Sequence, residues 1–268
     1  MDQYRIPVSR GHIHFYRYGS GKQPVICLHG YGEDGTSFRF LEDKAGDAYS
    51  FFCPDLPFHG KTSWPDQDAF TTHDLLGMVM KMVEGEDEKI IVLGFSLGGR
   101  LALSLYESIP GKVKKLVLLA PDGLKVNPWY WLATQTVAGN RFFWFTMRKP
   151  AWFMVILRLF NRMKWVNPSV FKFVQYYIGN AAVREALYRR WTSLRKIKPH
   201  LQAIKTHILT CKTPTQLVYG KHDRIILPAV GKRFLEGIER HAGIKIIESG
   251  HQVLHAKHAS IILEVLKA

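Results

Sequence analysis

Cysteine is scarce, with three residues in a chain of 268. Three cannot build a disulfide framework, and an odd count leaves at least one thiol unpaired within the chain. Small disulfide-stapled secreted scaffolds are therefore excluded, and a reducing, cytoplasmic setting is expected. Long apolar runs are missing too. The most apolar segment, 151–157 (AWFMVIL), is bounded by Arg148, Lys149 and Arg158, well short of the ~20 residues that span a bilayer. The opening stretch MDQYRIPVSRGHIHFYRYG has no apolar signal-peptide core, so none is expected. Repeats and low-complexity tracts are absent. At 47% hydrophobic and 22% charged residues, the composition excludes disordered, collagenous and coiled-coil chains.

Acidic residues are the last deficit, and it is local. Lys and Arg number 37 against 22 Asp and Glu, a net +15. Residues 125–205 hold fifteen of those cations and a single acid, Glu185, while the rest of the chain carries 22 cations and 21 acids. The same stretch contains six of the seven Trp and no convincing strand pattern. Three readings of this basic segment stay open: solvated helix faces, attraction to an anionic membrane surface with Trp at the interface, or recognition of an anionic substrate. Nucleic acid is not expected as a partner, because no nucleic-acid motif accompanies the charge. Oligomeric state is not readable.

What is present is an alternation of strands and helices. Segment 12–18 alternates like a strand with Ile13 and Phe15 facing inward, and short apolar runs follow at 24–28 (PVICL), 49–53 (YSFFC), 90–93 (IIVL), 116–120 (LVLLA), 216–219 (QLVY) and 245–247 (KII). Runs this short and this apolar suit strands covered on both faces. Thr72 is placed to cap a helix through about Val83 with Leu75, Leu76, Val79, Met82 and Val83 on one face, and a second helix runs from Leu97 to about Ile109, stopped by Pro110-Gly111. The pattern predicts an α/β fold with a mostly parallel sheet flanked by helices. It is interrupted at 124–205 by a helical, basic and aromatic-rich insertion between two core parts, 1–123 and 206–268.

Gly94-Phe95-Ser96-Leu97-Gly98-Gly99 directly follows the strand IIVL and directly precedes a helix. A tight strand-to-helix elbow needs small residues around its Ser, and it presents the Ser hydroxyl at the carboxyl end of a sheet. The helix N-terminus adds amide groups and a positive dipole end. A Ser hydroxyl needs a base and a group that orients the base. His251, just after the last strand, is the candidate base, and Asp223, just after the preceding strand, is the candidate acid, with Asp122 as its rival. His29-Gly30-Tyr31-Gly32 closes the strand PVICL, and its turn can aim the Tyr31 amide at a carbonyl oxygen alongside the Leu97 amide. The two acids after this turn, Glu33 and Asp34, and the lack of a P-loop Lys argue against a phosphate site. His251, His255 and His258 share a helical spacing, but no HExxH motif or nearby Cys supports a metal site, and none is expected. His255 and His258 are expected on the surface of the last helix, and His222 in a loop.

With these residues in place, the chain resembles the α/β-hydrolase superfamily, in particular its single-domain members with a helical cap. The resemblance covers about 12–123 and 206–268. It rests on the ordered series HGYG, Asp55-Leu56-Pro57-Phe58-His59-Gly60-Lys61-Thr62-Ser63, GFSLGG, GKHDRIILP and SGH. It implies a nucleophile–acid–base order of Ser96, Asp223 and His251, with backbone oxyanion donors at Tyr31 and Leu97. His29, Gly30, Phe95 and Phe58 are candidate supporting or pocket residues. It implies acyl transfer to Ser96 on a small acyl substrate, carboxylic esters first, with C–C, thioester and amide bonds as alternatives within the fold, and no metal or organic cofactor. A Ser nucleophile argues against the dehalogenase and epoxide-hydrolase branches, which use a carboxylate. A ligand-binding protein without turnover is the non-enzymatic alternative. Phe58 stands where the family usually has Gly, so that turn is expected to bend differently and to aim Phe58 at the pocket. The insertion is expected to be the cap over the sheet's carboxyl edge. Its aromatic runs around Trp129, Phe142 and Trp152 are expected to form the cap's own core or to line an apolar tunnel.

Overall fold

The computed structural model describes residues 2–8, 11–45, 47–65, 68–126, 128–166 and 168–267. Its sheet contains β1 (Asp2–Val8), β2 (Gly11–Tyr18), β3 (Gln23–Leu28), β4 (Tyr49–Pro54), β5 (Ile90–Phe95), β6 (Val113–Leu119), β7 (Thr215–Gly220) and β8 (Ala242–Ile247). The strand order is β1-β2-β4-β3-β5-β6-β7-β8. β1 and β2 pair antiparallel, as do β2 and β4, and every pairing from β4 to β8 is parallel. The chain passes from β3 outward to β4 and then crosses back to β5 on the other side of β3. The carboxyl ends of β3 and β5 therefore flank a topological switch point, where open α/β sheets bind ligands. β4, β5 and nearly all of β3 are buried along their lengths, as their continuous apolar runs predict.

The helices are α1 (Glu42–Ala45), α2 (Thr72–Met82), α3 (Leu97–Ser108), α4 (Pro128–Gln135), α5 (Val137–Arg148), α6 (Ala151–Arg162), α7 (Pro168–Gly179), α8 (Ala181–Ser193), α9 (Leu201–Cys211), α10 (Pro228–Leu235) and α11 (Ala259–Lys267). The cap of α2 is Thr71, one residue before the expected Thr72. Thr71 Oγ1 accepts from the Asp74 amide at 3.2 Å, and an Asp74 carboxylate oxygen accepts from the Thr71 amide at 2.9 Å. This reciprocal capping box satisfies two amides that a helix start leaves unpaired. Leu75, Val79 and Met82 are buried as expected and Met78 joins them, whereas Leu76 is half-buried.

The chain divides into two compact units: Met1–Pro65, Phe70–Lys125 and Lys196–Ala268 in one, Asp66–Ala69 and Val126–Arg195 in the other. The expected insertion, 124–205, differs from this at its C-terminal end. α9 lies in the sheet unit, where Ile204 and Ile208 are fully buried and the helix packs on α3. The second unit contains α4 to α8 around a small core of Phe143, Met147, Met154, Leu157 and Ile178. No helix among the described residues is long and apolar enough to cross a membrane.

Candidate active site

Ser96 follows β5 and precedes α3 with φ +48° and ψ −115°, a left-handed backbone that costs a non-glycine residue about 1–3 kcal/mol. Three backbone bonds hold it there. Its amide donates to Leu119 O at 2.9 Å, and its carbonyl accepts from the Gly99 and Asp122 amides at 2.9 and 2.8 Å. The flanking glycines are required by space. A Cβ on Gly98 would stand 1.9 Å from Leu28 O, and one on Gly94 would stand 2.5 Å from Gly98 O. Gly94 and Gly98 of the GFSLGG string are thus small enough to let β5, α3 and the end of β3 meet at Ser96.

The loops after β7 and β8 bring the other two residues to it. His251 Nε2 lies 2.9 Å from Ser96 Oγ, and His251 Nδ1 lies 2.8 Å from Asp223 Oδ2. A carboxylate only accepts, so Nδ1 carries the proton and Nε2 is left to accept from the Ser hydroxyl. The Asp223 side chain is wholly buried. Its second oxygen accepts from the Ile225 and Ile226 amides at 2.7 and 2.9 Å, so one carboxylate both orients the His and shapes its own loop. The two loops are tied by bonds from the Lys221 amide to Ile247 O and from the His222 amide to Ser249 O. They approach so closely that a Cβ on Gly220 would meet Gly250 O at 2.0 Å. Asp122, the rival acid, pairs instead with Arg100 at 3.2 Å and accepts from the Gly123 amide. His222 is an exposed partner of Glu248.

The turn after β3 lies against this elbow. β3 and β5 pair Leu28 with Gly94, so continuing the register sets His29 and Gly30 level with Phe95 and Ser96. A Cβ on Gly30 would come within 2.9 Å of the Phe95 ring. Phe95 is buried and packs on the His251 ring at 5.5 Å. His29, fully buried, donates from Nδ1 to Gly30 O at 2.8 Å and accepts the Leu56 amide at Nε2, 3.0 Å away. It is a brace between the ends of β3 and β4. Leu97 opens α3, where amides lack intrahelical partners, and Tyr31 sits on the turn beside Phe95's partner Gly30.

Phe58 adopts φ +62°, in the left-handed region that favours Gly, so a non-glycine side chain bears the cost of that backbone. In the same segment Asp55 is fully buried. Its oxygens accept from the Gly35 and Lys61 amides, both at 2.8 Å, and pair with His14 at 3.0 Å. His258, expected on the surface, is buried in a short turn before α11, whereas His255 is exposed.

Glu33, expected only as a charge unsuited to a phosphate site, is a structural neighbour of the site. One oxygen accepts from the Gly30 amide at 3.1 Å and the other from the Gln252 side chain at 2.7 Å. It therefore links the turn carrying Tyr31 to the residue after His251. Burial raises its carboxyl pKa, while the bonds to Gln252 and Gly30 and the nearby His251 oppose that rise. The signal was a carboxylate three residues after Gly30, in position to cap the turn. No group of three or more metal-ligating side chains occurs among the described residues.

An eight-stranded, mostly parallel sheet with a nucleophile elbow at its switch point defines the α/β hydrolases, and the family model for the alpha/beta hydrolase fold matches residues 23–257. The chain belongs to this family. It is 23% identical over 257 residues to the uncharacterized hydrolase YugF of Bacillus subtilis, covering 93% of this chain and 91% of that one. It is 27% identical over 234 residues to a 2-hydroxy-6-oxononadienedioate/2-hydroxy-6-oxononatrienedioate hydrolase of Cupriavidus pinatubonensis, covering 84% and 79%. Against another curated relative, 34% identical over 112 residues, it spans 30% of that protein's length. Among solved structures it is similar to a thermophilic esterase from Thermogutta terrifontis, with TM-score 0.71, 18% identity, and coverage of 100% of this chain and 98% of that one. The chain is a hydrolase by family.

Proposed function

We propose that the protein is a serine-dependent hydrolase of carboxylic esters with apolar acyl groups. The observation that carries this reading is the unbroken hydrogen-bond chain from Ser96 Oγ through His251 to the buried Asp223 carboxylate. In this mechanism His251 Nε2 takes the hydroxyl proton as Ser96 Oγ attacks the acyl carbon. Asp223 stabilises the imidazolium that forms without itself taking the proton. The tetrahedral oxyanion is held by the Leu97 and Tyr31 amides, each such donor worth about 3 kcal/mol in the transition state. His251 returns the proton to the leaving alkoxide, the acyl-enzyme forms on Ser96, and a water activated by the same Nε2 releases the acid.

The test is a chain-length series of nitrophenyl esters, from acetate to long acyl chains, with the parent and Ser96→Ala. The parent should turn over several members, and the variant should lose at least about a thousandfold in kcat. Unchanged turnover in Ser96→Ala would remove Ser96 as nucleophile.

A second reading, hydrolysis of a C–C bond in a small oxo-acid metabolite, is favoured by the likeness to the Cupriavidus pinatubonensis hydrolase. It predicts poor turnover of every nitrophenyl ester and Ser96-dependent cleavage of a vinylogous β-diketone acid.

A further inference from the structure

The helical unit carries an apolar surface that its own core does not use. α6 buries Met154 and Leu157 in that core, yet Val155, Ile156, Leu159 and Phe160 are exposed, by 63, 41, 54 and 40%. At 100° per residue these four, together with Met163 just beyond the helix, fall on one arc of about 140°. Arg158 and Arg162 border that arc on one side, both exposed. α6 thus has two apolar stripes, where a helix at a protein surface has one. The second stripe continues in both directions. Trp165, 70% exposed, packs on Phe160 at 5.6 Å, and Trp152 packs on the exposed Phe142 of α5 at 5.3 Å. Nearby on α5, the Arg148 guanidinium lies 5.0 Å over the Trp144 ring.

The charge around this face selects among occupants. Val126–Arg195 holds eleven Lys and Arg against one acid, Glu185, and Glu185 is paired to Arg189 at 2.7 Å. Lys172, one of the eleven, lies outside the described side chains. A second copy of the chain would bring two Val126–Arg195 segments of net +10 together, and like charges of this size oppose such an interface. A polyanion bound through phosphates alone leaves the aliphatic stripe without a role. An anionic bilayer surface uses both features: the aliphatic stripe enters the headgroup–acyl boundary, arginine stems snorkel, and indole rings sit at the interface.

We propose that the exposed face of α6, flanked by Arg158 and Arg162 and extended by Trp165, docks the protein on the surface of an anionic lipid bilayer. The helix lies in the plane of the interface, about 18 Å long at 1.5 Å per residue. The proposal is independent of the hydrolase reading, since none of these residues belongs to the Ser96 site.

The test is co-sedimentation of the full chain with vesicles of pure phosphatidylcholine and vesicles containing a third phosphatidylserine, at low and high salt. Oligomeric state is measured in parallel by analytical ultracentrifugation. The expected result is binding to the phosphatidylserine vesicles, at least tenfold weaker at high salt and on phosphatidylcholine alone. Arg158→Glu/Arg162→Glu and, separately, Val155→Asp/Leu159→Asp should each weaken it at least tenfold. Circular dichroism and turnover of a water-soluble ester should be unchanged in both variants. No binding by the parent, equal binding to both vesicle types, or undiminished binding by Val155→Asp/Leu159→Asp would overturn the proposal. So would a parent dimer that these substitutions dissociate, since the face would then belong to a second copy.

Discussion

The two units use the same residue types in opposite ways. In the sheet unit, a few polar and charged side chains around the candidate site go inward and are paired. Asp55 is shared among two amides and a His, Asp223 between two amides and His251, and His29 between two strand ends. Buried polar groups that are fully satisfied fix geometry. In the helical unit, large apolar side chains go outward, with Trp129, Phe142, Val155 and Trp165 each more than half exposed, in a segment rich in cations. The first pattern fixes the geometry of the candidate site, and the second leaves exposed the apolar face that we propose meets a bilayer. Function is therefore readable in the one from what is buried, and in the other from what is not.

The sharpest way to break the comparison inside the sheet unit, after loss of Ser96 itself, is Asp223→Asn. The Ile225 and Ile226 amides need an acceptor, so the single amide oxygen turns to them and the NH2 group faces His251 Nδ1. The imidazole is then held with its proton on Nε2, unable to accept from Ser96. We expect kcat to fall by about a thousandfold or more with thermal stability nearly unchanged, read by steady-state kinetics and melting. A melt lowered as strongly as activity would show that the carboxylate acts chiefly on the fold.

Within the helical unit the two faces of α6 should separate in stability. Leu157→Ala removes a core side chain and should cost about 2–4 kcal/mol. Leu159→Ala, two residues on, should stay within about 0.5 kcal/mol of the parent. Denaturant unfolding checks both, and equal losses would mean that the outward stripe is packed.

Glu33 sharpens the comparison at a smaller scale. Glu33→Ala releases both the Gly30 amide and Gln252, so kcat should drop about tenfold while KM changes little. Glu33→Gln, which keeps an acceptor for one of the two, should recover part of the loss. Equal losses in both variants, with a matching loss of stability, would reduce Glu33 to a fold residue. The smallest effect concerns His258, whose pKa is lowered mainly by burial, with Lys257 and His255 adding to it. Its folded pKa lies below its unfolded one, so the unfolded chain takes up the proton first. Stability should therefore decline as pH falls below about 6.5, the ordinary His value. His258→Gln should flatten that part of a pH–stability curve. A curve identical to the parent's would assign the slope elsewhere.

How much of this was legible in the sequence follows the same division. Seven strands could be read, the central ones because buried parallel strands are apolar throughout and β2 because its residues alternate, and the elbow because its glycines are forced by contact. β1 was not legible. Its side chains are mostly exposed, and it exists through pairing with β2 and the stacking of Tyr4 on Phe15. The start of α9 was merged with the insertion because Lys205 continues the basic run, while the burial of Ile204 and Ile208 is a tertiary fact. The choice between Asp122 and Asp223 needed loop geometry, as both follow strands. Glu33 was seen only as a charge that phosphate would avoid, because its two partners are the distant Gln252 and a backbone amide. The aromatics of the insertion met neither expectation in full. Phe143 joins its core, but Trp129, Trp131, Phe142, Trp144 and Phe145 are exposed, and hydrophobic composition alone does not say which way a side chain points.

The central claim is that acyl chemistry runs through Ser96 of the sheet unit. Intact-mass spectrometry after treatment with a fluorophosphonate tests it most directly, since this reagent reacts with a Ser activated by an adjacent base. The account predicts one phosphonyl adduct per chain, located on Ser96 by peptide mapping and absent from Ser96→Ala and Asp223→Asn. An unlabelled parent chain, or equal labelling of Ser96→Ala, would contradict it.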